Sequence, residues 1–197
     1  MDPIILASGS QRRKEFLKLL GLPFSIMPAG INEEISGSPE PAQIAQEFAV
    51  QKVQRVIKIL GARVPQWILG ADTVVVAGGH IFGKPKNQDD ARRMLSCLSG
   101  RKHEVITAMA LFNGKNRNID CRHAKASVRF EKLTEGELQW YLDSGEWQDA
   151  AGGYRLQGLA SCFIKLIQGS PSTVVGLPIH EFYCMLKDNG YPYSAWA

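Results

Sequence analysis

The segment IILASGSQRR, residues 4–13, decides how the chain begins to fold, because an apolar run ends abruptly in small residues and a helical pattern follows at once. Phe16, Leu17 and Leu20 recur at the spacing of one helix face. A strand that turns through Ser-Gly-Ser into a helix directs backbone N–H groups and the positive end of the helix dipole outward, and this arrangement binds anions. The segment therefore predicts a strand, a tight turn and a helix, with an anion site at the turn.

Two arginines, Arg12 and Arg13, fall in the first turn of this predicted helix, where acidic residues are preferred. A bound phosphate would compensate for that placement, since guanidinium groups match phosphate geometry. The alternative is a solvated basic turn capped by Ser10. The phosphate-loop patterns G-x-x-x-x-G-K-[ST] and G-x-G-x-x-G do not occur in the chain, so both interpretations stay open.

The segment WILGADTVVV, residues 67–76, is an apolar run rich in β-branched residues and predicts a buried strand. Asp72 lies in its middle. An ionised carboxylate is costly to bury unless it is paired or bound to a cation, so we interpret Asp72 as a functional residue. The neighbouring Gly70 and Ala71 leave room for another group to approach the backbone.

Two further segments carry charged residues whose role the pattern alone leaves open. Residues 41–60 form the longest helical pattern, and Lys52 flanks its apolar stripe, where a lysine ordinarily extends toward solvent. The loop over 29–41 carries Glu33 and Glu34, and acidic residues in loops are ordinarily solvated.

The remaining segments alternate between strand and helix patterns and show no internal repeat, which predicts a mixed α/β sheet. A capping box at Thr134 and Glu137 predicts a helix start. The other predicted elements are strands at 24–27, 80–82, 105–112, 121–130 and 163–167, a helix at 89–98, a turn over 169–178 and a last helix ending at Lys187.

The composition is that of a globular protein, because 45% of the 197 residues are hydrophobic and 21% are charged. The formal net charge of +4 favours anionic small molecules, and we expect no nucleic-acid partner. No run approaches the ~18 apolar residues of a membrane helix, so we expect no membrane association. The four cysteines have no C-x-x-C spacing and are interpreted as reduced thiols, which predicts a cytoplasmic protein.

Six motifs, taken in order, resemble those of the Maf family of nucleoside triphosphate pyrophosphatases. They are LASGSQRR at 6–13, GADT at 70–73, KP at 84–85, LSGRKHEVITA at 98–108, AGGYRLQG at 151–158 and VVGLP at 174–178. Their order and their spread over nearly the whole chain make the resemblance specific. It implies one Maf-like domain over residues 1–197, with a mixed twisted sheet flanked by helices in the elongated, two-lobed architecture shared with inosine triphosphatases. A central cleft and a homodimer are also implied.

The resemblance further implies metal-dependent hydrolysis between the α- and β-phosphates of a nucleoside triphosphate, giving the monophosphate and pyrophosphate. The implied cofactor is Mg²⁺ or Mn²⁺. Carried over position by position, Asp72 matches the catalytic base, and Asp72 and Glu33 match the metal neighbours. The residues that match phosphate-binding positions are Ser8, Arg13, Lys52 and Lys84.

Three positions match those associated with base selection in the branch of the family that acts on dTTP and UTP, namely Arg12, Thr73 and Gln157. The side-chain amide of Gln157 offers one donor and one acceptor, which suit the O4 and N3–H edge of thymine or uracil. A flipped amide would also suit cytosine. The resemblance therefore implies thymine and uracil nucleotides as substrates. The Gln157 side chain alone does not exclude CTP.

Two residues depart from the family pattern, because Gln11 replaces a proline and Ala150 stands where a lysine is usual. We expect activity to survive both changes. The alternative function is a regulatory nucleotide- or nucleic-acid-binding protein that acts in cell division and septum control. The histidines have no assignable role and are interpreted as structural: His80, His103, His123 and His180.

Overall fold

The structure is a computed structural model that describes residues 1–33 and 40–193. Within these residues the strands are β1 (Ile4–Leu6), β2 (Phe24–Ile26), β3 (Trp67–Ala77), β4 (His80–Phe82), β5 (Lys102–Asn113), β6 (Asn118–Phe130) and β7 (Ile164–Gln168). The α-helices are α1 (Gln11–Leu19), α2 (Pro41–Leu60), α3 (Gln88–Leu98), α4 (Glu135–Asp143), α5 (Pro171–Val175) and α6 (Ile179–Asp188). Short 3₁₀ helices span Gly61–Arg63, Ala151–Gly153 and Leu159–Phe163.

The strands form one mixed sheet in the order β2-β1-β3-β5-β6-β7, with β4 paired to β3. Strand β1 runs parallel to both β2 and β3, while β4 is antiparallel to β3 and β7 is antiparallel to β6. Parallel neighbours need a crossover connection, and α1 and α2 supply these between β1, β2 and β3. The predicted mixed α/β sheet with flanking helices is thereby confirmed.

The register of β1 and β3 determines which residues lie at the same edge of the sheet. Leu6 pairs with Leu69, and the N–H of Ala7 donates to the carbonyl of Leu69 over 2.8 Å. Because the two strands run parallel, the residues that follow Leu6 and the residues that follow Leu69 continue toward the same end of the strands. The Ser-Gly-Ser turn before α1 and the Gly-Ala-Asp sequence of β3 are therefore brought together.

The chain divides into two compact units, and each has its own apolar core. The first unit comprises residues 1–72, 107–124 and 176–197, and its core includes Ile4, Leu6, Trp67, Phe182 and Met185. The second comprises residues 73–106 and 125–175, and its core includes Val75, Leu95, Phe130, Tyr141 and Phe163. The single domain with a central cleft stays a prediction.

Several local predictions are confirmed to within a few residues. Helix α2 has the predicted bounds, and the capping box opens α4, where Thr134 and Glu137 exchange side-chain and backbone hydrogen bonds. Gln11 is the first residue of α1, a position that favours proline, and the helix forms without one. No helix in the described ranges is long and apolar enough to cross a bilayer.

The turn predicted over residues 169–178 is wrong at its centre, where α5 (Pro171–Val175) forms a short helix. The N–H of Thr173 donates to the carbonyl of Ser170 over 3.0 Å. The prediction used Ser and Pro as turn signals, but both residues are also favoured at helix starts. Serine can cap the first turn with its side-chain oxygen. Proline lacks the N–H that would have no partner in that turn.

Candidate active site

Polar side chains that the sequence singled out lie buried together in the first unit. Ser8 follows β1, Arg13 lies in α1, Lys52 lies on α2 and Asp72 lies on β3, and each residue is only 6–8% exposed. Buried charged groups are rare unless they are paired, so three of them beside a buried serine in one unit indicate a built polar site.

Lys52 is the centre of this group. Its ammonium nitrogen lies 2.6 Å from Oδ1 of Asp72 and 2.7 Å from Oε1 of Glu33, and it donates to the carbonyl of Ala71 over 3.2 Å. An ammonium has three donors, and these three acceptors satisfy them. Lys52 therefore turns inward, and the interpretation of an outward, solvated lysine is wrong. Glu34, the second loop carboxylate, lies outside the described residues.

Close packing of α2 on β3 explains why Lys52 reaches Asp72. A Cβ atom on Gly70 would lie 2.3 Å from the carbonyl oxygen of Ala49 and 2.8 Å from Cγ2 of Val53. Only a glycine permits this approach. The group that approaches the backbone at Gly70 is therefore α2 itself, which carries Lys52 between Ala49 and Val53.

Arg13 joins the turn after β1 to the segment before α6. Its Nη1 donates to Oγ of Ser8 over 2.9 Å, and its Nε donates to the carbonyl of Gly176 over 2.8 Å. Burial lowers the pKa of the Arg13 guanidinium, and the charges of Asp72 and Glu33 oppose that shift. Since Arg13 is buried and Ser10 makes no side-chain cap, the alternative of a solvated, Ser10-capped basic turn is wrong.

The Ser8 hydroxyl lies between two donors. Its Oγ accepts from Nη1 of Arg13 and from the N–H of Ser10, the latter over 3.2 Å. A hydroxyl has two lone pairs and one proton, so the O–H of Ser8 can still donate to an anion. The predicted anion site therefore has both a cation and a hydroxyl donor at the turn.

Competing charges act on the Asp72 carboxyl. Burial raises the pKa of Asp72 above its ordinary value, Lys52 and Arg13 act to lower it, and Glu33 acts to raise it. A carboxylate with a raised pKa is a better proton acceptor near neutral pH, which is the property a general base needs.

The two carboxylates are the described side chains of this site that could hold a divalent cation. Within residues 1–33 and 40–193, no group of three or more His, Cys, Asp and Glu side chains suits a metal. However, Asp72 and Glu33 contact one cationic atom, Nζ of Lys52, so their oxygens converge. Mg²⁺ is commonly bound through one or two carboxylates plus substrate phosphates and water, and this pair matches that need.

The second unit holds three further candidate residues, Thr73, Lys84 and Gln157. The Lys84 ammonium lies 4.0 Å from Oδ1 of Asp149, and both side chains are exposed. The carbonyl of Gly83 accepts from the N–H of Gly152 over 3.0 Å, so Lys84 lies beside the segment that leads to Gln157. Gln157 is exposed, and Thr73 on β3 is half-buried. Arg12, which lies in the first unit, is also half-buried.

Sequence reasoning did not single out two further contacts, one in each unit. The carbonyl of Gly176 accepts a hydrogen bond from Arg13. The sequence pointed to Gly176 only through the VVGLP motif, of which this residue is a part. The hydroxyl of Tyr154 contacts Nε2 of His103 over 2.8 Å, and both residues are buried. This contact fits the structural role expected for His103. Ala150 is also buried, at the position where the family has lysine.

Comparison with known proteins identifies the family. A family model described as "Maf-like protein" matches residues 3–189. A protein of Hahella chejuensis named "dTTP/UTP pyrophosphatase" is 44% identical over 187 residues, which cover 95% of this chain and 92% of that protein. Proteins with the same name from Symbiobacterium thermophilum and Bacillus cereus are 40% and 41% identical, over 98% and 95% of this chain and 96% and 95% of theirs.

The Ham1 protein of Staphylococcus aureus, a solved structure, aligns with 65% of this chain and 71% of its own at 13% identity, with a TM-score of 0.45. The family assignment depends instead on the matches in sequence. Since the family model spans residues 3–189 and these relatives are at least 40% identical over nearly their full length, the chain belongs to the Maf family.

Proposed function

We propose that this chain is a metal-dependent pyrophosphatase that hydrolyses the α–β phosphate bond of dTTP and UTP to the nucleoside monophosphate and pyrophosphate. One observation carries the proposal: a buried lysine joins two carboxylates beside a buried Arg13–Ser8 pair. The relatives named "dTTP/UTP pyrophosphatase" support the same activity.

Charge balance indicates that a bound triphosphate would need positive charge beyond these side chains, which a metal ion would supply. Lys52 and Arg13 carry two positive charges, and Asp72 and Glu33 carry two negative charges, so the described group is close to neutral. A triphosphate brings about four negative charges. The enzyme must neutralise these charges for the phosphate bond to be broken. We propose that Lys84 contributes to this neutralisation, since its side chain is exposed and its contact with Asp149 is long, at 4.0 Å.

Asp72 is proposed as the general base. Its buried carboxylate is held by Lys52, and burial raises its pKa, so it suits a role in taking the proton of the attacking water. Ser8, Arg13 and Lys52 are proposed to hold phosphate oxygens, because a hydroxyl, a guanidinium and an ammonium all donate to such oxygens. The three donors of Lys52 are engaged with Asp72, Glu33 and Ala71, so Lys52 would bind a phosphate by exchanging one of these acceptors for it.

Asp72 and Glu33 are proposed to hold Mg²⁺ or Mn²⁺ through their carboxylate oxygens. When bound, such an ion supplies charge neutralisation on the phosphates and lowers the pKa of a bound water. In this arrangement Lys52 orients both carboxylates, since it contacts each of them.

Base selection is assigned to Arg12, Thr73 and Gln157. The exposed amide of Gln157 can accept from N3–H and donate to O4 of thymine or uracil. We also propose a homodimer, by resemblance to the family, and a cytoplasmic location, with which the four free cysteines are compatible. Sedimentation of the purified protein would measure the oligomeric state.

The test of the proposed function is pyrophosphate release from dTTP, UTP, CTP, GTP and 7-methyl-GTP with Mg²⁺ or Mn²⁺. We expect release from dTTP and UTP that is abolished by chelation of the metal. Faster turnover of 7-methyl-GTP would contradict the proposed substrate class. Tight nucleotide binding with no pyrophosphate release from any substrate would favour the regulatory alternative instead.

A further inference from the structure

Gln157 lies in a four-residue turn over residues 155–158. The N–H of Gly158 donates to the carbonyl of Arg155 over 3.2 Å, which closes the turn and leaves Gln157 at its third position. Because Gln157 is exposed, the backbone of this turn determines where its side chain can reach. Groups that hold the ends of the turn therefore control the presentation of Gln157.

Glu146 holds the end of the turn that follows Gln157. Its Oε2 accepts from the N–H of Leu159 over 2.8 Å. A Cβ atom on Gly158 would lie 2.0 Å from the same oxygen and 2.6 Å from the carboxyl carbon. The φ of Gly158 is −127°, which any residue can adopt, so an added Cβ would displace the Glu146 carboxylate without straining the backbone.

The segment around Glu146 also holds the other end of the turn. The hydroxyl of Tyr141 accepts from the N–H of Arg155 over 3.3 Å, and the carbonyl of Gln148 accepts from Nη2 of Arg155 over 2.7 Å. The indole of Trp147 donates to the carbonyl of Leu142 over 3.0 Å, which ties this segment to α4. Both ends of the turn are thus hydrogen-bonded to the segment over residues 141–148.

We propose that Glu146 is a positioning residue for recognition of the nucleotide base, acting through Gly158 and Leu159 on the orientation of Gln157. The inference rests on the proposed function, in which Gln157 contacts the base. The carboxylate supplies the acceptor for Leu159 and fills the space beside Gly158, so its removal frees the chain directly after Gln157. Phosphate binding uses other residues and is independent of Glu146.

The test separates the base from the phosphates by measuring the dissociation constants of UTP and of inorganic tripolyphosphate. The ratio of the two constants reports what the nucleoside, base and ribose together, contributes to binding. We expect Glu146→Ala to weaken UTP binding about fivefold, the typical effect of one lost hydrogen bond, and to leave tripolyphosphate binding unchanged. In turnover, KM for UTP should rise in parallel while kcat stays within about twofold, because only uniform binding is lost.

Three further variants distinguish positioning from a general structural effect. Glu146→Gln keeps an acceptor for Leu159 and should retain most of the wild-type ratio, whereas Gly158→Ala should displace the carboxylate and reproduce the effect of Glu146→Ala. If Glu146 acts through Gln157, then Glu146→Ala should have no further effect on the ratio in a Gln157→Ala background. Thermal unfolding of each variant shows that the proteins compared are folded.

An unchanged ratio in folded Glu146→Ala and Gly158→Ala would overturn the inference, as would additive effects in the double variant. Equal affinities of the wild type for UTP and tripolyphosphate would also overturn it, even with pyrophosphate release intact. Failure of the proposed function looks different: the wild type releases no pyrophosphate, while the binding ratio and its dependence on Glu146 are still measured.

Discussion

The ammonium nitrogen of Lys52 lies 2.6 Å from Oδ1 of Asp72, and both side chains are only 9% exposed. The contact joins α2 to β3 and lies over the point where Gly70 lets the helix reach the strand. Charges buried in this way stabilise one another, and loss of one leaves the other uncompensated. The positions of the proposed base and of the proposed metal ligands therefore depend on one lysine.

Asp72→Asn should lower kcat for dTTP and UTP by at least ~10²-fold, because asparagine keeps the size and an acceptor for Lys52 but takes up no proton. The measurement is pyrophosphate release, with circular dichroism to compare the folds. Retention of more than a tenth of wild-type activity would exclude Asp72 as the general base.

Glu33→Gln should raise the Mg²⁺ concentration needed for half-maximal activity by about tenfold, since a neutral amide is a weaker ligand for a hard cation. The Glu33 side chain is 31% exposed, so stability should change little. Metal titrations of activity test this expectation, and an identical metal dependence would remove Glu33 from the proposed metal ligands.

Lys52→Met should destabilise the fold by about 3 kcal/mol, because it leaves the buried carboxylate of Asp72 without its counter-ion. Lys58→Met on the exposed face of the same helix is the matched control and should change stability by less than about 0.5 kcal/mol. Urea unfolding of both variants measures the difference. Equal stabilities would show that the Lys52 contacts contribute nothing.

Gly70→Ala should destabilise the protein by about 2 kcal/mol, since the added methyl group would overlap the carbonyl of Ala49 and push α2 away from β3. Activity should fall as well, because Lys52 moves with the helix. Gly136→Ala, where an added Cβ meets nothing within 4 Å, is the control and should be neutral or slightly stabilising. Thermal unfolding at one pH compares the two substitutions.

His103 should make the protein less stable in acid. Burial lowers its pKa from the ordinary 6.5 to about 4. Between these values the unfolded chain binds the proton and the folded chain does not, so stability is lost as the pH falls from 6.5 toward 4, by up to about 3 kcal/mol.

His103→Gln removes this titration and should flatten the stability profile over the same pH window. His123→Gln, at an exposed histidine, should leave the profile unchanged. Urea unfolding gives the free energy of unfolding at pH 7 and at about pH 4.5. The change between the two values reports how many more protons the unfolded chain binds than the folded chain. Parallel losses in wild type and His103→Gln would show that other groups cause the acid sensitivity.

The elements themselves could be predicted from the sequence, because they depend on signals within a few residues. The apolar run before Ser8, the stripe over residues 41–60 and the capping box at Thr134 each identified an element close to its observed bounds. The same local signals were ambiguous at Pro171, where serine and proline favour either a turn or a helix start, and there the prediction was wrong.

The sequence by itself thus determined the strand–turn–helix start, the buried strand that carries Asp72 and membership of the Maf family. Only the tertiary structure decided that Lys52 turns inward, and that Arg13 is buried against a carbonyl 163 residues away in the chain. The physical reason is that burial and pairing of a charge depend on which distant segments pack around it. At Gly70 a missing side chain brings α2 within contact of β3, and that approach converts an ordinary helix lysine into the centre of the candidate site.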